Sequence, residues 1–440
     1  MAPLPFSIEE YRERQSRFLS QIPTSSLVIF PTNAIAVRSN DVSYPYRASS
    51  YMLYLCGWEY PDAVFMASHK SGHWHTTLFV QPRDTKSEIW EGRRVGPDGA
   101  AAGWPVDSAV SLESLEEEIL SNSRSIKELF SFSGQNSELD LLIDRLLSTT
   151  DVNELSDPRP ILDNQRVIKS SKEIELLKES AEIASAALIG AMSSSNPGIG
   201  EWQIQASIEG HFLNNKSQWS YPSIVGGGEN ATILHYKNND CVVEGGDLVL
   251  VDAGCETHGY ASDITRTWPI NGKFNDAQRE IYELVLDAQI AGIEACVAGA
   301  PWLSMHQATS DVLAQGMINL GILDCTLADA LGSEFDGPYR NYFMHGTGHL
   351  LGLDVHDVGG GREGDDVPGP ELQSGMVLTV EPGIYFASWR DDISIPSRYA
   401  GIGIRIEDNI LITDDGPVVL SASCPKRIDE IEQIVRSSGD

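Results

Sequence analysis

The sequence predicts a protein of two domains, each of a mixed α/β (α+β) class. Short apolar runs alternate with helical stretches along the first third of the 440 residues. The remainder contains two long amphipathic helix patterns and one strand pattern that occurs twice. The polar segment 151–163, with prolines at 158 and 160, is typical of a linker. We therefore expect domains at 1–162 and 163–440.

The first domain is predicted from its strands. The runs 26–30, 63–67 and 76–80 are rich in apolar, aromatic and β-branched residues, which favours buried strands. Before them, Ser7-Ile-Glu-Glu10 is a capping-box pattern and predicts the start of a helix.

The second domain begins with a helix pattern. Ser170-Ser-Lys-Glu173 is again a capping box, and apolar residues follow it at helical spacing. A second long helix is predicted from about 275 to 296. We expect these helices to cover a curved mixed sheet.

One local pattern occurs twice in this domain. The segments 246–254 and 375–383 both read glycine, a spacer, four mostly apolar residues, an acid, any residue and glycine. The acids are Asp252 and Glu381. Since each acid follows a run that is typical of a buried strand, each strand is predicted to present one carboxylate at its end.

A second acid follows each of these strands. Asp263 follows the first, and Glu407 follows the second within Gly-Ile-Gly-Ile-Arg-Ile-Glu407. The alternation of isoleucines there predicts a strand with Arg405 and Glu407 on the opposite face. The domain is therefore predicted to have two related halves that each give a pair of carboxylates to a shared centre.

Four histidines of the ten accompany these acids. They are His235, His345, His349 and His356, and glycines separate the middle two in His-Gly-Thr-Gly-His. Four carboxylates and one imidazole suit two divalent cations that share a bridging oxygen. Histidines that bind no metal can form hydrogen bonds to a reacting carbonyl or leaving nitrogen. Spacing alone leaves open which histidine binds metal, and a single strand-end acid is more often a turn former or helix cap.

These residues resemble the pita-bread metallopeptidases, a family that includes methionine aminopeptidase, prolidase and aminopeptidase P. The resemblance extends from about 169 to 427, and the segments 44–51, 88–94 and 399–408 are similar to bacterial-type aminopeptidase P. It implies an N-terminal domain for oligomerisation and substrate access, followed by a catalytic pita-bread domain with pseudo-twofold halves.

The resemblance also implies roles for individual residues. It makes Asp252, Asp263, His349, Glu381 and Glu407 the ligands of two divalent ions, most simply Mn²⁺, with Co, Fe or Zn as alternatives. It gives His235, His345, His356 and Glu381 catalytic roles, with Glu381 also handling the proton of the bridging water. It places Tyr385, Arg405, Trp90, Asp41 and Arg362 near the substrate. Arg362 lies in the glycine-rich acidic loop 359–370, which departs from the family pattern.

Composition excludes some partners. Lys and Arg total 31 against 63 Asp and Glu, and the formal net charge of −32 disfavours binding to nucleic acid or anionic membrane. The six cysteines form no C-x-x-C pair, and no apolar run reaches the ~18 residues of a membrane span. We expect a cytoplasmic enzyme that forms a homodimer or homotetramer.

Three functions remain open at the level of sequence. The first is an exopeptidase that releases the N-terminal residue from peptides with proline in the second position, by attack of a metal-bridging hydroxide. The second is prolidase, which performs the same chemistry on Xaa-Pro dipeptides. The third is an inactive pita-bread domain that only binds; such a domain would lack ligands, and all five are present here.

Overall fold

A computed structural model describes residues 4–123, 126–150, 152, 154–361 and 369–436. The chain divides into two compact units, 1–165 and 166–440, so the boundary lies three residues beyond the predicted one. Within the described residues, no helix combines the length and the apolar composition needed to cross a membrane.

The N-terminal unit contains a mixed sheet with helices around it. Its helices are α1 (Ile8–Leu19), α2 (Ser50–Cys56), α3 (Thr85–Glu91), α4 (Gly96–Gly103), α5 (Leu115–Ser123), α6 (Ser137–Thr149) and α7 (Arg159–Val167), which includes the boundary. Its strands are β1 (Ser26–Pro31), β2 (Val37–Ser39), β3 (Val42–Ser43), β4 (Val64–Lys70), β5 (His73–Val80), β6 (Ser108–Ser111), β7 (Glu128–Phe130) and β8 (Glu154–Ser156).

The main sheet of this unit has the order β6-β5-β4-β1-β7-β8. Its inner pairs β1–β4 and β4–β5 are antiparallel, and β5–β6, β1–β7 and β7–β8 are parallel. The three predicted strands are confirmed as β1, β4 and β5, and Ser7 caps α1 by accepting the Glu10 N–H at 3.2 Å. Their apolar residues pack with those of α5 and α6 into one core.

The predicted linker at 151–163 is wrong for its described part. β8 pairs with β7, and α7 begins at Arg159. In the sequence the two prolines indicate a linker, but Pro158 lies just before helix α7 and Pro160 lies in its first turn. The missing N–H of a proline has no intrahelical partner in the first turn, so the residue is tolerated there.

The C-terminal unit contains several small antiparallel sheets and long helices. Its helices are α8 (Ser171–Ser194), α9 (Glu201–Asn214), α10 (Asp276–Glu294), α11 (Leu303–Asn319), α12 (Leu327–Leu331) and α13 (Ile428–Arg436). Its strands are β9 (Gln218–Trp219), β10 (Ile224–Gly227), β11 (Leu248–Ala253), β12 (Cys255–Thr257), β13 (Tyr260–Ala261), β14 (Ile264–Pro269), β15 (Val377–Val380), β16 (Gly383–Tyr385), β17 (Gly403–Arg405), β18 (Asp408–Thr413) and β19 (Gly416–Val419).

Both predicted long helices are confirmed. α8 follows a capping box in which Ser170 and Glu173 bond each other's backbone N–H, and α10 follows a similar box at Asn275. Apolar residues of these helices pack against β11, β14 and β17 in a continuous core. The fold is mixed α/β in both units, as predicted.

Two sheets of the C-terminal unit correspond to the two predicted halves. One has the order β10-β11-β14 and the other β15-β18-β19. In each, the strand that carries the repeated pattern pairs antiparallel with the strand that follows the second acid. This equivalence places four carboxylates at corresponding points of two sheets.

Candidate metal centre

The first pair of carboxylates lies where β11 meets β14. Asp252 is the second-last residue of β11 and is paired in register with Thr265. Asp263 directly precedes β14, whose first residue is Ile264. The backbone turns sharply beside them, because a Cβ atom on Gly254 would lie only 1.8 Å from the Ser262 carbonyl oxygen. Glycine is required here for close backbone approach.

The second pair occupies the equivalent points of the other sheet. Glu381 directly follows β15, and Glu407 directly precedes β18. The two halves are joined at this point: the Glu407 N–H donates to Thr265 O at 3.1 Å, and the Asp263 N–H donates to the Asn409 side-chain oxygen at 3.2 Å. Asp252, Asp263 and Glu407 are at most 9% exposed. The four acids therefore share one buried region.

His349 faces two of these carboxylates through one ring nitrogen. Its Nε2 lies 3.3 Å from Asp263 Oδ2 and 3.6 Å from Glu381 Oε1. Its Nδ1 lies 3.0 Å from the carbonyl oxygen of Leu350. Because a carbonyl only accepts, Nδ1 carries a hydrogen, and Nε2 is the ring nitrogen that faces the acids. In the absence of a cation Nε2 donates to Asp263, and a bound cation would take the place of that hydrogen.

Glycine allows the close contact that places His349. A Cβ atom on Gly348 would lie 1.9 Å from the Thr379 carbonyl oxygen. On either side of this contact, the His349 N–H donates to Thr379 Oγ1 at 3.1 Å and the Glu381 N–H to Thr347 O at 2.8 Å. The segment 345–349 is thus held against β15.

The site carries an excess of negative charge in a buried environment. Burial, followed by repulsion from Asp263 and Glu381, raises the pKa of Glu407 well above its ordinary value. Burial likewise raises the pKa of Glu381 to about 7 and that of Asp252 to about 6. The pKa of Asp263 is lowered despite burial, because His349 bonds it and pairs with its charge. Crowded carboxylates of this kind are stabilised by bound cations.

Arg405 supplies a positive charge within the cluster. Its Nη2 lies 2.7 Å from Asp252 Oδ2, and its Nη1 donates to the Tyr385 hydroxyl oxygen at 2.9 Å. The Tyr385 hydroxyl also lies 2.9 Å from His345 Nε2, and His345 Nδ1 lies 2.8 Å from Gly346 O. Both ring nitrogens of His345 are therefore engaged. Tyr385 is fully buried and, among the described residues, does not line the cavity at the site.

The acids open on one side into a cavity of about 270 Å³. His235 and His356 are exposed at this cavity, and the ring of His356 meets that of His349 edge to face at 4.3 Å between centroids. Its lining contains these residues of the predicted site: His235, Asp252, His345, His349, His356, Glu381 and Arg405. The structure thus brings the carboxylates, the four histidines and Arg405 together.

Sequence reasoning missed several groups that complete the site. The Tyr221 hydroxyl lies 2.5 Å from Asp252 Oδ1 and 2.6 Å from Asp263 Oδ1. Thr265 donates to Glu407 Oε2 at 2.6 Å and accepts from Arg405 Nε at 3.1 Å. Thr265 could have been found from the sequence, because it lies two residues after Asp263 on the strand that pairs with the Asp252 strand. No pattern in the sequence distinguishes Tyr221.

A fully buried ion pair holds the backbone beside Glu407. Arg266 Nη2 lies 2.7 Å from Asp408 Oδ1, and Arg266 Nη1 donates to the Glu407 carbonyl oxygen at 2.6 Å. Lys426 Nζ lies 2.7 Å from the other Asp408 oxygen. Removing one partner would leave a buried charge unpaired, which typically costs about 3–5 kcal/mol.

Two predicted substrate-side residues belong to the N-terminal unit. Asp41 and Trp90 are both exposed there, Trp90 with 89% of its surface accessible. Arg362 lies outside the described residues.

The donor set fits divalent cations. Asp263, His349 and Glu407 each place one donor atom within 4.8 Å of the others, and all three are buried. Asp252 and Glu381 extend this group on either side through their contacts with Tyr221 and His349. Four carboxylates with one imidazole suit manganese, cobalt, iron or zinc.

Comparison with known proteins places the chain in a family. Residues 175–414 match metallopeptidase family M24, and residues 11–130 match the aminopeptidase P N-terminal domain. The chain therefore belongs to metallopeptidase family M24, as the sequence resemblance predicted. Its C-terminal unit has the pita-bread fold of that family.

Three relatives resemble the chain over nearly its whole length. A Xaa-Pro aminopeptidase of Haemophilus influenzae is 41% identical, covering 99% of this chain and 98% of the relative. The solved structure of proline aminopeptidase P II from Yersinia pestis aligns with a TM-score of 0.93 at 37% identity, covering 98% of this chain and 100% of that one. The solved structure of a zinc-substituted Escherichia coli aminopeptidase P in complex with product also aligns with a TM-score of 0.93. It is 36% identical, and the alignment covers 98% of this chain and 99% of that one.

The cluster predicts the effect of removing a ligand charge. Asp263→Asn or Glu407→Gln should reduce bound Mn²⁺ and abolish peptidase turnover while leaving the protein folded, because each change removes a charge that holds a cation. Metal content after dialysis, thermal unfolding and turnover are the measurements. The exposed Glu294→Gln is a matched control. Near-normal turnover of either ligand variant in metal-depleted buffer would contradict the assignment.

Proposed function

We propose that this chain is a metal-dependent exopeptidase that releases the N-terminal residue from peptides with proline in the second position. The observation that carries the proposal is the cavity lined by four histidines together with Asp252 and Glu381 of the carboxylate cluster. The names of the full-length relatives support the substrate class, since they are Xaa-Pro aminopeptidases.

The proposed ligands are Asp252, Asp263, His349, Glu381 and Glu407. Two divalent cations held there would polarise the scissile carbonyl and lower the pKa of water. Mn²⁺ is our first choice because oxygen donors predominate. The zinc-substituted relative supports zinc as an alternative.

The remaining residues of the cavity would hold and orient the substrate. Glu381 reaches the cavity from the end of β15 and would take the proton that water loses. His235 and His356 are exposed at the cavity and would bond the scissile carbonyl and the leaving nitrogen. His345 has both nitrogens engaged, so it would act by orienting Tyr385 and, through it, Arg405.

Loss of His235 or His356 should lower turnover without lowering metal content, in contrast to loss of a proposed metal ligand. His235→Ala and His356→Ala should each lower turnover by ~10² or more, the scale typical of losing an oxyanion donor or proton-transfer partner. Metal content should stay near that of wild type, because neither residue belongs to the proposed donor set. If either variant loses metal while His349→Ala retains it, the metal ligand has been assigned to the wrong histidine.

Prolidase is the second candidate, because the two activities share their chemistry and differ in substrate length. A strict dipeptidase needs a fixed cation to bind the free carboxylate of proline. Arg362, in the glycine-rich loop 359–370, is the residue that would supply this cation. The relatives favour the aminopeptidase.

Substrate length is the test that separates the two candidates. We expect Xaa-Pro-Yaa tripeptides to be cleaved at least as efficiently as Xaa-Pro dipeptides, measured as kcat/KM with Mn²⁺ added after chelation. A tenfold or greater preference for the dipeptide would assign prolidase. Loss of that preference in Arg362→Ala would then identify the residue that binds the carboxylate.

We also propose a homo-oligomer, either a dimer or a tetramer. Two elements of the N-terminal unit expose large apolar residues: the β2–β3 hairpin exposes Val37 and Val42, and α3 has no buried residue and exposes Ile89 and Trp90. Exposed apolar residues grouped in this way are typical of an interface. A second copy would cover them and bring Asp41 and Trp90 to the substrate, as the family resemblance implies.

Light scattering tests the oligomer. Wild type should have twice or four times the chain mass, and Trp90→Glu should shift it toward the monomer because a charge would be buried in the contact. Leu141→Glu, at an exposed position of helix α6 in the same unit, is the matched control. A monomeric wild type would reject the proposal.

For the compartment we propose the cytoplasm. All six cysteines are free, and Cys56, Cys255, Cys296 and Cys424 are buried. Free thiols persist in a reducing environment.

A further inference from the structure

His306 lies behind the catalytic segment 345–349 and contacts its central residue. This histidine belongs to α11, and its Nδ1 lies 2.8 Å from the Thr347 hydroxyl oxygen. Its Nε2 lies 3.3 Å from the Tyr339 hydroxyl oxygen. The ring packs between Phe335 and Phe343, at 5.4 and 5.9 Å between centroids. These contacts fix both the position and the rotation of the ring.

The hydrogen bonds indicate which nitrogen of His306 carries a hydrogen. Burial, with the nearby charge of Arg340, lowers its pKa to about 4, so the ring is neutral. The Tyr339 hydroxyl donates its hydrogen to Phe335 O at 3.1 Å, so its oxygen can only accept from the ring, and it does so from Nε2 while also accepting from the Ser310 hydroxyl at 3.2 Å. Nδ1 is then the acceptor for the Thr347 hydroxyl.

Thr347 links this histidine to the catalytic residues. Its carbonyl oxygen accepts the N–H of Glu381 at 2.8 Å. Glycines precede and follow it, so Thr347 provides the anchoring side chain between His345 and His349. A cavity of about 820 Å³ lies on the same side and is lined by His306, Thr347 and both glycines. Thr347 is buried, with 2% of its surface exposed, and its hydroxyl bond to His306 joins the segment to α11.

We propose that His306 is a positioning residue for the reaction: its bond to Thr347 holds segment 345–349 in register with Glu381. Without it, the segment can move into the cavity, and His349 and the Glu381 backbone lose their fixed separation. The reaction part of this inference rests on the proposed peptidase function.

Two amide variants separate the two bonds of the ring. The amide of asparagine occupies the place of Nδ1 and can still accept from Thr347, whereas the amide of glutamine occupies the place of Nε2 and meets Tyr339. With Mn²⁺ bound and a Xaa-Pro-Yaa substrate, His306→Gln should lower kcat by about 10- to 100-fold, as for other residues that orient metal ligands. KM should change far less, and His306→Asn should stay close to wild type.

Thr347 provides the other half of the test. Thr347→Val removes only the hydroxyl and should reproduce the loss seen in His306→Gln, while Thr347→Ser should restore activity. The double variant His306→Gln/Thr347→Val should be no worse than either single change, since both remove one bond. Multiplicative losses in the double variant, or equal losses in the Asn and Gln variants, would overturn the proposal.

Hydrogen exchange supplies a readout that is independent of activity. In the metal-free full chain, the Glu381 amide should exchange faster in His306→Gln and Thr347→Val than in wild type or His306→Asn. Unchanged exchange in both variants would reject the proposal. If wild type failed to cleave Xaa-Pro peptides, the proposed function would fail, yet the exchange comparison would still decide whether His306 holds the segment. Thr347→Val carries the test if His306→Gln does not fold.

Discussion

Four carboxylates enclosed in one buried region are the constraint on which the rest of the C-terminal unit depends. Burial and mutual repulsion raise the pKa of Glu381, Asp252 and Glu407, so the cluster is unfavourable unless positive charge is supplied. The protein supplies part of it through Arg405 and through the hydrogen bonds of His349. The negative charge that these residues leave unbalanced makes the site suited to divalent cations rather than to a purely structural ion pair.

The fold meets this constraint by repetition. β11 with β14 and β15 with β18 place their acids at corresponding points, and direct bonds join the two sheets there. The Arg266–Asp408 pair then fixes the backbone at Glu407 from the side away from the cavity. Protein contacts thus position candidate donors from both halves.

The segment 345–349 contains two glycines, yet its surroundings hold it in place. Glycine at 348 allows contact with the Thr379 carbonyl, which a side chain would prevent. Restraint comes from β15 on one side and from the Thr347 hydroxyl on the other. His345 is restrained in a similar way by Tyr385, whose hydroxyl also meets Arg405. The side chains of Thr347 and Tyr385, which hold this segment, are not among the residues that line the cavity at the carboxylates.

The sequence by itself determined the long helices α8 and α10, the repeated strands and the candidate donor residues. The capping boxes at Ser170 and Asn275 involve residues only three positions apart, and both are present in the structure. The repeated strand pattern likewise involves neighbouring residues. The four carboxylates could be proposed because their residue type carries the required chemistry and the repeat places them equivalently, whereas the choice of His349 among the four histidines depended on the family resemblance.

Only the tertiary structure decided how these residues are held. The contact of Asp263 with Asn409 joins residues 146 positions apart, and that of Glu407 with Thr265 joins residues 142 apart. The burial of Tyr385, the place of Tyr221 between two acids and the contact of His306 with Thr347 likewise depend on residues far apart in the sequence. A side chain's partner across such a distance depends on how the elements pack, and no local pattern records that packing.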